Sequence, residues 1–520
     1  MTQSTPPPLS PARTPSALAA ALAGVAAGAA ALGVAELLAG LVPGASSPII
    51  AIGDLVISLQ PPGAKQFVVE LFGEADKLLL NLLIAVVGLA ATAGLGVLAR
   101  TRPGLARLGF LAFGLLVLGA ALRDPASEAV PTFIVAVAAV GVGIGVCFWL
   151  LGLARRSATP RAAEMPAWER RRFLGTSLAV MGLAAGSGVI GRMLLERGRL
   201  GTTPQAAIPT PAATAAALPN GSELGIDGVA TIITPNEDFY RIDTALLIPR
   251  PDMKTWRLKV TGRVDRPFEL SYDELVAMPL FEQYVTIACV SNEVGGGLVG
   301  NALWRGVRLK DILERAGVQA DATQIVGRAD NFTVGFPTVW ALADEREAMV
   351  AVAMNGEPLP PAHGFPARLI VPGLYGYVSA TKWLTEIELT RLEDFDAYWI
   401  PLGWAKEAPI LTQSRIDVPR NRERVNAGNV PIAGVAWAPD RGISAVEVQV
   451  DDGEWQAADL STPISDATWV QFVRRWDATP GEHTIRVRAT DGVGELQTDE
   501  RTPPAPDGAR GHHVVQVDVA

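Results

Sequence analysis

The sequence predicts an α+β domain followed by an immunoglobulin-like β-sandwich, both carried behind a helical membrane region. Three observations predict this. Five long apolar stretches fall within the first 200 residues. Short β-rich runs interrupted by two amphipathic helices come next. From about residue 405 the chain is strand-like throughout. A length of 520 residues is too great for one hydrophobic core and suggests about three folding units. We expect a membrane region at 1–200, a linker at 201–228, an α+β domain at 229–404 and the sandwich at 405–520.

Charge divides the same way. Residues 1–200 hold 16 Lys and Arg against 10 Asp and Glu, whereas the remainder holds 28 against 43, net −15. A basic, apolar front and an acidic back describe an anchor bearing a water-exposed part. No concentrated basic face is present on the latter, which argues against nucleic acid as a partner. Two cysteines, Cys147 and Cys289, exclude a disulfide framework, because Cys147 lies inside an apolar run.

The apolar stretches lie near 15–42, 78–99, 105–122, 130–154 and 173–195, each close to or above the length that crosses a bilayer. Arg100, Arg102 and Arg107 stand between the second and third. Arg155, Arg156, Arg161, Arg170, Arg171 and Arg172 stand between the fourth and fifth. The 43–76 and 123–129 intervals hold few basic residues. The positive-inside rule then puts the N-terminus in the cytoplasm and everything after the fifth helix outside. Arg170-Arg171-Arg172-Phe173-Leu174 resembles a twin-arginine export signal, an address for proteins exported already folded; flanking cytoplasmic charge is the plainer reading. The Pro-, Ala- and Thr-rich stretch that follows reads as an extracytoplasmic linker.

In the α+β part, WRLKVTGRV, YVTIACV, ARLIVPG and KWLTEIELT read as strands. SYDELVAM reads as a helix capped by Ser271, and RLKDILERAG as one closed by Gly317. The lack of βαβ regularity makes this α+β. The runs PIAGVAWAP, ISAVEVQVDDGEW, WVQFVRRWDA, HTIRVRATDG and HHVVQVDVA alternate at sandwich spacing, with a hairpin turn at Asp452-Gly453. That sandwich is expected to carry no chemistry of its own.

Gly295, Gly297 and Gly300 match GxGxxG, but NALWRGVRL after them reads as strand or loop where a dinucleotide site needs a helix. No GxSxG, HExxH or CxxC occurs. Cys289 remains, at the end of an apolar strand where a Gly-rich loop begins. Such a residue is ordinarily a small buried hydrophobe. Downstream stands Met354-Asn355-Gly356-Glu357-Pro358-Leu359-Pro360-Pro361-Ala362-His363-Gly364-Phe365-Pro366-Ala367-Arg368, then LIVPGLYGYVSATKWL.

This ensemble resembles the sulfite oxidase family of molybdopterin enzymes, in order and spacing over some 170 residues, and the sandwich resembles that family's dimerisation domain. The resemblance implies a molybdenum–molybdopterin cofactor with Cys289 as the metal's thiolate ligand. It implies that His363 and Arg368 hold the pterin phosphate, and that Ser379 and Lys382 lie on the pterin-contacting loop. Asn292 is a further expected cofactor contact. Arg241, in a Phe-x-Arg segment, and Trp304, as an aromatic wall, are expected at the substrate.

After the cysteine, the family's sulfite oxidases have Gly-Asn-Arg-Arg, whereas this chain has Val290-Ser291-Asn292-Glu293. The arginine pair is lost, leaving Arg241 and Arg305 as cations for an oxyanion. The expected activity is oxygen-atom transfer, foremost sulfite to sulfate outside the cytoplasmic membrane. The alternatives are a reductase of sulfoxides, including protein methionine sulfoxide, and a non-catalytic envelope protein that has kept the fold. No histidine precedes residue 200, so no haem is expected in this chain, and electrons would pass to a separate cytochrome or haem membrane protein. A homodimer is implied by the family resemblance alone.

Overall fold

The computed structural model describes residues 14–59, 76–123, 127–156, 166–200, 208–246, 248–249, 251–329, 332–343 and 346–520. It divides into two units, Met1–Thr202 and Thr203–Ala520.

The first unit is helical: α1 (Ala17–Leu41), α2 (Pro48–Ser58), α3 (Asp76–Ala99), α4 (Pro103–Ala121), α5 (Ala129–Arg156) and α6 (Pro166–Leu200). All but α2 contain a segment long and apolar enough to cross a membrane. These are the five stretches expected from the sequence; α2 lies in the interval read as a loop. Helix α1 is the most enclosed. Gly24 packs on Thr92 and Ala93 of α3, Gly33 on Ala184 of α6, and Gly40 on Gly191 of α6. Small residues let backbones approach closely in such bundles, which accounts for the Ala/Gly-rich composition. Glu36 of α1, almost wholly buried, accepts from Ser47 Oγ at 2.6 Å and Ile49 N at 3.3 Å, and so ties down the start of α2. Arg171 and Arg172 are exposed on α6, while Arg161 and residues 201–207 lie outside the described residues.

In the second unit the α+β strands are β1 (Arg257–Gly262), β2 (Phe268–Ser271), β3 (Leu280–Ala288), β4 (Val299–Arg308), β5 (Gln324–Ala329), β6 (Phe332–Pro337), β7 (Met349–Met354), β8 (Glu357–Pro358), β9 (Arg368–Ile370) and β10 (Glu386–Thr390). They make a mixed sheet ordered β2-β1-β10-β5-β6, in which only β1 and β10 pair in parallel, and an antiparallel sheet ordered β3-β4-β7-β8, with β9 also on β7. Helix α7 (Tyr272–Val276) opens with a full capping box between Ser271 and Glu274. Helix α8 (Leu309–Ala316) ends at Gly317, whose φ of 71° only glycine adopts cheaply. Both match the sequence expectation. No helix follows Gly295, Gly297 and Gly300; β4 does. From Ile208 the Pro/Ala-rich stretch is tied along β3, an end strand of its sheet: Ala212 N donates to Leu280 O at 2.7 Å. That contact covers hydrogen-bonding edge groups.

The remaining strands are β11 (Gln413–Val418), β12 (Glu423–Val425), β13 (Gly428–Trp437), β14 (Ile443–Val450), β15 (Gln456–Ala457), β16 (Asp459–Leu460), β17 (Val470–Ala478), β18 (Gly481–Asp491) and β19 (His513–Val519). Their sheets run β11-β13-β17-β16 and β12-β19-β18-β14-β15. Ile432, Val446, Phe472 and Val487 form the sandwich's own core. Trp437 and Trp469 instead enter the α+β core.

Candidate functional site: a thiol loop beside a buried basic cluster

The site grows from the end of β3. Ala288 pairs with Val299 of β4, and residues 289–298 form the connection between the two strands. Cys289 N donates to Leu298 O at 2.9 Å, Asn292 N to Cys289 O at 3.1 Å, and Leu298 N to Asn292 Oδ1 at 2.7 Å. The Asn292 side chain thus closes the loop that carries the thiol. Cys289 is buried and forms no disulfide.

The segment after β7 carries the basic residues. Asn355 and Gly356, with φ of 52° and 81°, form the left-handed pair that a two-residue hairpin requires. Asn355 also donates to Thr234 O and Asn236 Oδ1, both at 2.9 Å, and so fixes the segment that leads to Tyr240 and Arg241. Residues 364–369 then zip against 381–384. Leu369 N donates to Thr381 O, Leu384 N to Ala367 O, and Trp383 N to Gly364 O. Gly364, at φ 113°, lies so near the Lys382 backbone that a side chain there would press on it. This zipper brings His363, Arg368 and Lys382 together.

The cluster is strongly basic. Arg368 is buried, donates from Nη1 to His363 O at 2.9 Å, and leaves Nε without a partner. Burial pulls its guanidinium down to about 10. His363 Nε2 lies 2.8 Å from Asn236 O, which can only accept, so Nε2 carries the proton and the buried Nδ1 is left unpartnered. Burial first, then Arg368, Lys382 and Arg241, hold its pKa at about 4, against the lift from the Asn236 bond. Lys382 sits at about 8, lowered by burial and by Arg368, with Asp243 working in the opposite direction. Asp243 is the carboxylate here: it accepts from Arg241 Nε at 2.9 Å and from Lys382 Nζ at 3.2 Å. Excess buried positive charge with polar atoms left open fits an anionic group carrying several acceptors. The residues therefore suit a pterin phosphate.

Two tyrosines stand close to the thiol. Burial, then the charge of a Cys289 thiolate, push the Tyr240 hydroxyl up, with Arg368 pulling the other way. Burial likewise pushes the Tyr375 hydroxyl up, helped by Cys289, while the Leu411 N–H that donates to it opposes the shift. Both remain protonated donors at neutral pH.

Two expected residues are placed differently. Trp304 is wholly buried, its Nε1 donating to Val285 O at 3.2 Å and its ring beneath Arg368. It is a floor under the basic cluster and offers no surface to a substrate. Arg305 is spent on Glu282, at 2.6 and 3.0 Å, and is no spare cation for an oxyanion. Ser379 Oγ donates to the carbonyls of Leu374 and Tyr375, and so shapes α9 (Gly376–Ser379). The sequence reading missed Tyr240, Asp243 and Tyr375, none of which stands out by spacing.

Residues 245–399 match the family described as the oxidoreductase molybdopterin binding domain. Human mitochondrial sulfite oxidase is 33% identical over 323 residues, 52% of this chain and 58% of its own length. The uncharacterized oxidoreductase YuiH of Bacillus subtilis is 40% identical over 154 residues, 29% of this chain and 74% of its own. This chain belongs to the sulfite oxidase family of molybdopterin oxidoreductases. A solved structure, the sulfane dehydrogenase SoxCD from Paracoccus pantotrophus, is similar at a TM-score of 0.48 and 22% identity, over 57% of this chain and 86% of its own. The family match falls on the segment that builds the thiol loop and the basic cluster. This sulfite oxidase family member spans just over half the length of the human relative it matches, and its helical unit lies outside the family match.

Proposed function

We propose that this oxidoreductase transfers oxygen atoms at a molybdenum–molybdopterin group held by Cys289, and that sulfite is its substrate. When bound, that group would supply the two-electron redox chemistry. Sulfite plus water would give sulfate, two protons and two electrons, and the electrons would pass to a separate cytochrome or haem membrane protein. The chain's own residues bind and orient. Arg368, Lys382 and His363 hold the pterin phosphate, Ser379 shapes the adjoining turn, and Asn292 closes the Cys289 loop. Arg241, about a third exposed, faces the substrate oxyanion. The Tyr240 and Tyr375 hydroxyls, kept protonated, donate hydrogen bonds to charge developing near the thiol.

The observation that carries this reading is the buried Tyr240 hydroxyl, which feels both Cys289 and Arg368, together with an Arg368 Nε that has no partner. Basic residues between the apolar helices favour a catalytic unit on the outer face of the cytoplasmic membrane, and the sandwich would serve a homodimer. A second reading, reduction of a neutral sulfoxide, has an observation of its own. Arg241 and Arg305 are each matched by a carboxylate, Asp243 and Glu282, which weakens the site's hold on a dianion.

Loaded full-length protein decides between them. Sulfite-dependent reduction of ferricyanide supports the first reading. Sulfoxide-dependent reoxidation of a viologen dye, with no response to sulfite, supports the second. Neither activity in metal-replete protein would contradict both.

A further inference from the structure

The loop between Cys289 and Leu298 is held from outside its own domain. Arg415, on β11 of the sandwich, donates from Nη1 to Gly296 O at 3.0 Å. Its Nε donates to Asp417 Oδ1 at 2.6 Å, and Asp417 Oδ2 accepts from Ala230 N at 3.0 Å. Both side chains of this pair are largely buried, at 13% and 10% exposure. A second sandwich residue closes over the same loop. The His513 ring lies against Gly295, whose φ of 80° and lack of a side chain permit the approach. His513 Nδ1 accepts from Ile416 N at 3.0 Å, so its ring is fixed to the strand that carries Arg415.

Within the loop the bonds run on to the thiol. Gly296 N donates to Glu293 O at 2.8 Å, Leu298 N to Asn292 Oδ1, Asn292 N to Cys289 O, and Cys289 N to Leu298 O. The path from Arg415 to the Cys289 backbone is thus a continuous run of hydrogen bonds and short loop segments. A surface ion pair would be worth little. This one is mostly removed from water, and it gives a charge-assisted bond to a carbonyl that has no strand partner.

We propose that Arg415 is a positioning residue for Cys289, with His513 as its support, so that the sandwich fixes the orientation of the thiol. The proposal rests on Cys289 being the thiol of the site described above. It assigns the sandwich a part in the chemistry beyond assembly, contrary to the sequence expectation. Loss of one such bond raises the population of an opened loop by roughly tenfold.

The test is the rate of iodoacetamide alkylation at Cys289, followed by mass spectrometry on the cofactor-free full-length chain. It needs no metal, so its outcome is separable from that of the proposed activity. Arg415→Met should speed alkylation by about tenfold and Arg415→Lys, which keeps the charge beside Asp417, by less. Arg488→Met breaks a comparable ion pair with Glu447 elsewhere in the sandwich and should leave the rate unchanged. Unchanged rates in both Arg415 variants would overturn the proposal. So would equal acceleration in Arg488→Met, which would mean general loosening. If Arg415→Met does not fold, Arg415→Lys against Arg488→Met gives the answer.

Discussion

The guanidinium of Arg368 lies 5.0 Å over the ring of Trp304, and no carboxylate among the described residues pairs with it. A buried cation without a counter-ion destabilises the empty chain, and the aromatic face offsets only part of that cost. Arg368→Met should therefore raise the melting temperature of the cofactor-free protein while abolishing retention of the pterin. Calorimetry of the empty chain and pterin content of the loaded one check the two halves. A destabilised empty chain would mean that the charge is compensated after all.

Trp304 itself is a floor and no pocket wall. Trp304→Phe keeps the ring but leaves Val285 O short of a donor, at a cost of about 1–3 kcal/mol. Denaturation should show that loss while the KM for substrate stays within about twofold, since the interaction is remote from the substrate. A large KM change at unaltered stability would return Trp304 to the pocket.

His363 makes stability depend on acid. Its folded pKa of about 4 lies below the ordinary value of 6.5, so between these values the unfolded chain binds more protons. Its contribution is complete above 6.5 and is lost as pH falls towards 4. His513, also held at about 4 by burial and by Arg415, adds to the same slope. The melting temperature of the second unit's transition, in the cofactor-free full chain, should fall across this window, less steeply in His363→Gln. An identical slope in that variant would show that His363 does not titrate as described.

Asp243 sets the charge offered to an anion. Asp243→Asn frees Arg241 and Lys382; without the carboxylate that lifts it, the lysine falls below its folded value of about 8, so the guanidinium of Arg241 is the cation gained at every pH. Competitive inhibition by sulfate should tighten by about tenfold, the scale of one charge-assisted contact. No change would place Arg241 away from the substrate.

Much of this fold is written in local signals. The capping box at Ser271, the αL glycine at Gly317 and the five apolar runs each rest on neighbours in sequence, and each appears where expected. The site is less legible. His363, Arg368 and Lys382 could be named from their motif, and the structure brings them together. What could not be read is which charge meets which: Asp243 with Lys382 across 139 positions, Glu282 with Arg305 across a strand pair, Arg415 with Gly296 across 119. Those partners are set by tertiary packing. The burial of Trp304 follows from its phase on β4, which no single aromatic in a sequence declares.

In the proposed function Cys289 ligates the metal. Its most direct test is molybdenum and pterin content of full-length protein purified after expression with cofactor, beside Cys289→Ser. The parent should hold one molybdenum per chain, with a thiolate-to-metal absorption band that the serine variant lacks. Absence of metal and pterin from the parent, or an unaltered band in the variant, would contradict it.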